Sequence, residues 1–282
     1  MSLTVTLIVL LAAFLHAGWN FLVKRSGDKL LSMSAMVFGH VPFALLALLF
    51  VSLPSADAWG YILGSAVFHT GYQWFLLNAY HIGDLSQVYP LARGVAPLLV
   101  TLVSVGLLGV VLSVPELLAV VFIGGGIIAL SLLRQGNGVF NYQAALLALM
   151  TGGFIAGYSL VDGLGARVSA SPVGYYALGS CLNAAIWLVY VSFRRPGLLR
   201  ELLSCEWKLS LQAGGASFSA YSMVVWAFTV APIALVTALR ETSILFAMLL
   251  GVLLLGEHMN GKKVMAVGVV LGGIMMLRIS QV

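Results

Sequence analysis

Arg93, Arg240 and Glu241 stand inside long apolar stretches. A charge at the centre of a membrane helix costs about 2.5–3.5 kcal/mol on insertion scales, so it needs a partner, a cavity or a function. Arg93 lies in Val88-Tyr89-Pro90-Leu91-Ala92-Arg93-Gly94-Val95-Ala96-Pro97, and the other two in Val236-Thr237-Ala238-Leu239-Arg240-Glu241-Thr242. Two guanidiniums and one carboxylate suit a ligand with an anionic group, because the planar fork of arginine binds carboxylate, phosphate or phosphonate oxygens bidentately. Glu241 would then receive an ammonium or carry a coupling proton. The alternative is an Arg93–Glu241 or Arg240–Glu241 ion pair that locks the chain together, and a gating pair would be both.

Other polar residues share helical faces with one another. His16, Trp19 and Asn20 are spaced i, i+3, i+4, and His69 and Gln73 are four apart, so both groups are expected to face the interior of a helix bundle. Hydrogen-bonded structure is the alternative role for each histidine, and His40 is read as structural. Tyr89, Tyr158 and Tyr221 are expected to wall a cavity; Tyr175, Tyr176 and Trp226 fit interfacial anchors better. Pro90 and Pro97 remove helical hydrogen bonds and are expected to loosen their helix as kinks or gating points, or to pack as plain kinks. Gly124-Gly125-Gly126, Gly268 and Gly272-Gly273 allow close helix approach, at an inter-repeat or dimer contact.

Enzyme chemistry is not expected. No His-Glu-x-x-His, serine elbow or cysteine cluster occurs, and Cys181 and Cys205 form no disulfide or metal framework. Gly256–Lys262 has P-loop spacing, but Lys263 stands where Ser or Thr would hold magnesium and no strand precedes it, so it is read as a helix-joining turn. Without an ATP site, transport would be secondary, with no metal and no cofactor beyond a coupling proton.

The elements that must hold these residues are membrane helices. Of 282 residues, 61% are hydrophobic and 8% charged, against roughly 25% charged in a soluble domain; mean hydropathy is +1.06. An all-α polytopic membrane protein is expected. Net charge is +5, carried mostly in loops, where it sets orientation against lipid headgroups rather than binding nucleic acid. Ten spans are expected near Thr4–Val23, Leu30–Leu53, Ala58–Ala79, Leu85–Val110, Val114–Leu133, Tyr142–Val161, Val173–Phe193, Lys208–Thr229, Ala234–Leu255 and Lys262–Ile279. The first lacks a basic leader and is read as a span rather than a cleaved signal peptide. The divisions near Ala79/Leu85, Val110/Val114 and Thr229/Ala234 are also compatible with longer broken helices.

Of the 14 Lys and Arg residues, ten fall in loops on one side, Arg167 and Arg278 on the other, and Arg93 and Arg240 within spans. The positive-inside rule makes the basic side cytoplasmic and leaves both termini outside. Ala79–Arg134 aligns with Ala227–Arg278 at an offset of about 148, and Ala17-Gly18-Trp19-Asn20 meets Ala156-Gly157-Tyr158-Ser159. Residues 1–141 and 142–282 are therefore expected to be two five-helix repeats, inverted because five is odd, with a site near the midplane. Chance likeness between apolar segments is the alternative. At 1.5 Å per residue, Arg93 enters roughly 12 Å from one side and Arg240 roughly 10 Å from the other, bracketing the midplane.

With these features the chain resembles the drug/metabolite transporter superfamily, EamA type, over essentially its whole length. The ten-span pattern, Tyr89-Pro90-Leu91-Ala92-Arg93-Gly94 with Pro97, and Leu255-Gly256-Glu257 carry the likeness. In the first half Gly109 is not followed by Glu, so Glu116 is not expected to be a shared transport residue. The resemblance implies a secondary transporter working by alternating access, an exporter of a small polar metabolite such as an amino acid or another anionic or zwitterionic compound. It would sit in the cell inner membrane as a monomer or homodimer, with the substrate and the lipid bilayer as partners. Two alternatives stay open: a proton-coupled exporter of lipophilic cations, and an uptake carrier for a phosphonate-like anion. Leu15-His16-Ala17-Gly18-Trp19-Asn20 resembles members associated with phosphonate utilisation.

Overall fold

The computed structural model describes residues 1–24, 28–132, 140–255 and 261–279. Among them every regular element is helical: α1 Leu3–Lys24, α2 Lys29–Leu48, α3 Trp59–Ile82, α4 Leu85–Gly106, α5 Val114–Leu132, α6 Tyr142–Val168, α7 Pro172–Arg194, α8 Leu198–Ser204, α9 Trp207–Val230, α10 Ile233–Arg240, α11 Ser243–Leu255 and α12 Gly261–Ile279, with a 3-10 turn at Ala56–Ala58 before α3. Seven stretches are long and apolar enough to cross a membrane. The helices α3 and α9 have the length, at 24 residues each, but are less apolar. α3 is where His69, Thr70 and Gln73 interrupt the apolar pattern. The outer stripe Leu3, Leu7, Leu11 and Phe14 of α1 is 46–56% exposed. Apolar surface at that spacing faces hydrocarbon, and the protein is a multi-pass membrane protein.

Helix ends follow local chemistry. Asn141 accepts the Ala144 N–H at 3.0 Å and caps α6; Glu116 accepts from the Ser113 N–H and hydroxyl, both at 2.8 Å, and caps α5. That gives Glu116 a capping role. Asp28 caps α2 by accepting the Leu31 N–H at 2.9 Å, and it also pairs with Arg195, which reaches Glu201 of α8 at 2.8 Å. Partial burial pushes the Asp28 carboxyl up, but the Leu31 amide and Arg195 outweigh it and hold the group below its ordinary 3.8. A carboxylate so depressed contributes stability at neutral pH and loses it as pH falls through its lowered value. Asp28→Ala is therefore expected to cost about 1 kcal/mol at pH 7, the usual worth of a cap, and nothing once the pH is well below 3.8. Paired thermal melts at the two pH values check it.

The packing rests on several close backbone approaches. On α2, a Cβ at Gly39 would lie 2.0 Å from the Ser210 carbonyl oxygen and 3.0 Å from the Gly214 Cα of α9. Neither neighbour is a flexible side-chain end, so Gly39→Ala must prise α2 from α9. A loss of about 3 kcal/mol, the upper end of ordinary overpacking, is expected as a lowered melting temperature. Between α4 and α5, a Cβ on Gly124 would meet the Gly94 carbonyl oxygen at 2.8 Å, and between α5 and α12 one on Gly273 would meet Ile123 at 2.8 Å. Gly124 and Gly273 thus serve intramolecular helix packing, whereas Gly125, Gly268 and Gly272 face open space.

Three expectations are corrected. The break expected at Asp162–Pro172 is only a turn around Ser169–Ser171, with Ala170 at φ +57°; α6 runs on to Val168 and carries Asp162 inside it. The expected Ala234–Leu255 span holds as an apolar stretch, Ile233–Leu253, but not as one helix: α10 and α11 divide it at Glu241 and Thr242. The polar connection after Arg194 contains α8. Gly256–Asn260 of the P-loop-like run, and Arg25 and Arg134 of the basic loops, lie outside the described residues.

Candidate functional site

Arg93, Arg240 and Glu241 meet. Arg93 Nη1 donates to both oxygens of Glu241, at 3.2 and 3.3 Å, and Arg240 donates to Oε1 from Nε at 3.3 Å and Nη2 at 3.0 Å. Glu241 is wholly buried, Arg240 is 2% exposed and Arg93 8%. The helix break makes this geometry. Glu241 and Thr242 donate backward at i−3, to Ala238 at 3.2 Å and Leu239 at 3.1 Å, and α11 restarts at Ser243. Thr242 precedes α11, but its hydroxyl makes no capping hydrogen bond among the described residues; its carbonyl accepts from the Leu245 N–H at 2.9 Å as the new helix begins. On α4 the prolines leave one continuous helix, Leu85–Gly106, so they do not break it; both are buried and neither lines the cavity. The amide that Pro97 lacks is the one that would have bonded the Arg93 carbonyl, four residues back.

Around this cluster hydrogen-bond donors outnumber acceptors. Arginine only donates, and ten guanidinium N–H groups face one carboxylate. Arg93 Nη2 also abuts His16 Nε2, while the Trp19 indole N–H points at His16 Nδ1 from 3.2 Å. A neutral imidazole has one lone pair, so only one of these two donors is satisfied. The hydroxyls of Tyr89, Thr237, Thr242 and Ser243 are buried without a hydrogen-bond partner among the described residues. Tyrosine faces hold part of the positive charge: the Arg93 guanidinium lies 5.5 Å from the Tyr89 ring centre, and that of Arg240 5.7 and 5.5 Å from those of Tyr158 and Tyr221.

Arg93, Arg240, His16, Trp19 and the three tyrosines open onto a cavity of about 60 Å³, large enough to hold water. Its walls include His16, Trp19, Asn20, His69, Gln73, Tyr89, Arg93, Tyr158, Tyr221 and Arg240, so the structure gathers every expected binding residue except Glu241, which stands behind the arginines. Asn20 donates to its own helix, at the His16 carbonyl, 2.7 Å away. Gln73 exchanges hydrogen bonds with Asn183 at 3.1 and 3.2 Å, and Asn183 donates to Thr70 at 2.9 Å.

Several wall residues were not among those expected. His40, Tyr72, Tyr176, Ser180, Asn183 and Ser217 line the cavity; His40 is buried, with Nε2 unpartnered among the described residues. The missed signal in α7 was the series Tyr176, Ser180 and Asn183 at i, i+4, i+7 in an apolar helix. Asp162, placed in a loop by the sequence pattern, is fully buried and accepts from His69 at 3.0 Å, Tyr221 at 2.8 Å and Tyr175 at 3.1 Å. Arg167, expected in an outer loop, ends α6 instead and donates to the Phe228 and Ala231 carbonyls at 2.9 and 3.0 Å, tying down the end of α9.

Among solved structures 28 chains match this one. One, described only as a crystal structure of a protein, superposes with a TM-score of 0.76 over 98% of this chain and 97% of its own, at 19% identity, a likeness of fold alone. No curated protein matches. Residues 143–279, the second of the two expected repeats, match the EamA-like transporter family, part of the drug/metabolite transporter superfamily, whose members are membrane transporters.

Proposed function

We propose that the protein is a secondary active transporter of a small polar metabolite bearing an anionic group, an amino acid or another anionic or zwitterionic compound, which it exports by alternating access. The observation that carries this is the donor surplus around Arg93 and Arg240. Two buried guanidiniums share one carboxylate, and unpartnered hydroxyls stand beside them. An oxyanion supplies the acceptors the site lacks, and the arginine fork matches its geometry.

Alternating access draws support from the packing. With α1 paired to α6 and α3 to α9, exchange of the two halves turns the α3–α6 contact into α9–α1, and the α2–α9 contact into α7–α3; all four are present. Arg93 and Glu241 are 148 apart, the offset of the repeat, so the ion pair joins equivalent positions of the two halves. A pair on a pseudo-two-fold can open and re-form as the halves rock. The basic loops support outward termini for a protein of the inner membrane.

An exporter of lipophilic cations would need a free central acid. Asp162 is central, but its carboxylate already receives three hydrogen bonds. Counterflow in proteoliposomes with glycine, L-serine, methylphosphonate, succinate and tetraphenylphosphonium tests the proposal. An anionic or zwitterionic solute should exchange, and Arg93→Ala should raise its half-saturation about ten-fold or more. Exchange of tetraphenylphosphonium alone, or wild-type rates for every solute in Arg93→Ala, would refute it.

A further inference from the structure

We propose that His69 and Asp162 form the proton-binding site of this carrier, and that His69 takes up one proton as the cavity takes one anionic substrate. This rests on the anionic-substrate reading above. The Asp162 carboxylate, wholly buried in α6, accepts from His69 Nε2, Tyr175 and Tyr221. A carboxylate only accepts, so Nε2 carries the ring hydrogen and Nδ1 keeps the basic lone pair. The ring lines the cavity and its side chain keeps 13% exposure. A basic imidazole at a cavity wall with a carboxylate fixed behind it is an arrangement that stabilises imidazolium. On protonation Nδ1 takes a proton from hydronium, an O–H bond giving way to an N–H bond and leaving water, and the Asp162 charge faces the new cation.

The surroundings favour this histidine over its neighbours. Around its ring stand Tyr158 of α6, stacked at 4.1 Å, Tyr176 of α7, Tyr221 of α9 and Tyr72 of α3. Tyr175 of α7 reaches the same carboxylate, and from α2 His40 lies within electrostatic range. Arg93 covers the Tyr89 ring, and Arg240 covers the Tyr158 and Tyr221 rings that flank His69. His16, by contrast, abuts Arg93 directly, so a second positive charge there is opposed. With His69 neutral, Arg93, Arg240, Glu241 and Asp162 sum to zero. An anion alone would leave one buried negative charge; an anion with a proton on His69 leaves none. The repeat alignment sets Val23 opposite Asp162, so the pair, His69 from the first half and Asp162 from the second, has no counterpart across the repeat.

Histidine ¹⁵N NMR of the whole protein in nanodiscs tests this without a substrate. The result expected is a signal, missing from His69→Gln, whose neutral ring carries its hydrogen on Nε2. In Asp162→Asn the protonated-to-neutral ratio at pH 6 should fall about tenfold or more, as for any loss of a contacting counter-charge. In Tyr221→Phe, which removes one donor from the carboxylate and leaves its charge more available, the ratio should rise. Should Asp162→Asn not fold, the wild-type tautomer and Tyr221→Phe decide. A His69 signal with hydrogen on Nδ1, or one that ignores Tyr221→Phe, overturns the proposal. Pyranine-loaded proteoliposomes given methylphosphonate then read coupling. Internal acidification that accompanies entry and vanishes in His69→Gln supports it; entry without proton movement overturns it. No entry of methylphosphonate or of the counterflow solutes, with the NMR as expected, places the failure in the substrate reading.

Discussion

Glu241→Gln is expected to be the most damaging single substitution in the protein. It leaves Arg93 and Arg240 buried together with no carboxylate between them. Removing one partner of a buried ion pair costs about 3–5 kcal/mol, because the charges left behind remain desolvated. Here two like charges remain, so the upper end is expected, read as a drop in melting temperature of the purified protein and as lost transport. The double variant Arg93→Gln, Glu241→Gln should recover much of the stability, since one cation then remains between the Tyr158 and Tyr221 rings that already flank Arg240. Transport should stay lost. Equal melting temperatures for Glu241→Gln and wild type would mean that the arginines do not depend on this carboxylate.

Arg93→Ala is expected to do the reverse, sparing the fold and removing the ligand's hold. Arg240 and Glu241 still neutralise each other, through contacts at 3.0 and 3.3 Å. What disappears is a charged donor, and a hydrogen bond to a charged group is worth about 1.5–3 kcal/mol, or roughly ten- to a hundred-fold in affinity. Arg93→Lys should restore little of it, because an ammonium cannot present two parallel N–H groups to one oxyanion. Counterflow half-saturation for whichever solute exchanges best distinguishes the two variants from wild type.

Much of this site was legible in the sequence because membrane helices make polar residues conspicuous. Arg93, Arg240, Glu241, His16, His69 and Gln73 stood out against hydrocarbon-compatible neighbours, and burial brought them together as the cost of isolated charge demands. Asp162 escaped for the same reason in reverse. It is followed by Gly163, Gly165 and a Ser-rich turn, and an acid beside glycines resembles a loop. Only packing shows that Gly163 and Gly165 are helical, each close to a side chain, Ile233 and Tyr175 respectively. The break at Glu241–Thr242 was hidden as well. Its residues are individually compatible with a helix, and the ion pair with Arg93 of the other half, a tertiary contact, accompanies the turn. The missing hydrogen bonds of Pro90 and Pro97 were visible too, and α4 runs from Leu85 to Gly106 through both.

The most direct test of an anion-binding pocket at Arg93 and Arg240 is a thermal-shift titration of the purified protein with glycine, L-serine, methylphosphonate, succinate and tetraphenylphosphonium. A solute that binds only the folded protein raises its melting temperature, by an amount that grows with concentration. At least one anionic or zwitterionic solute should do so in the wild type and not in Arg93→Ala. Stabilisation by tetraphenylphosphonium alone, or by the same anions equally in Arg93→Ala, would contradict the pocket.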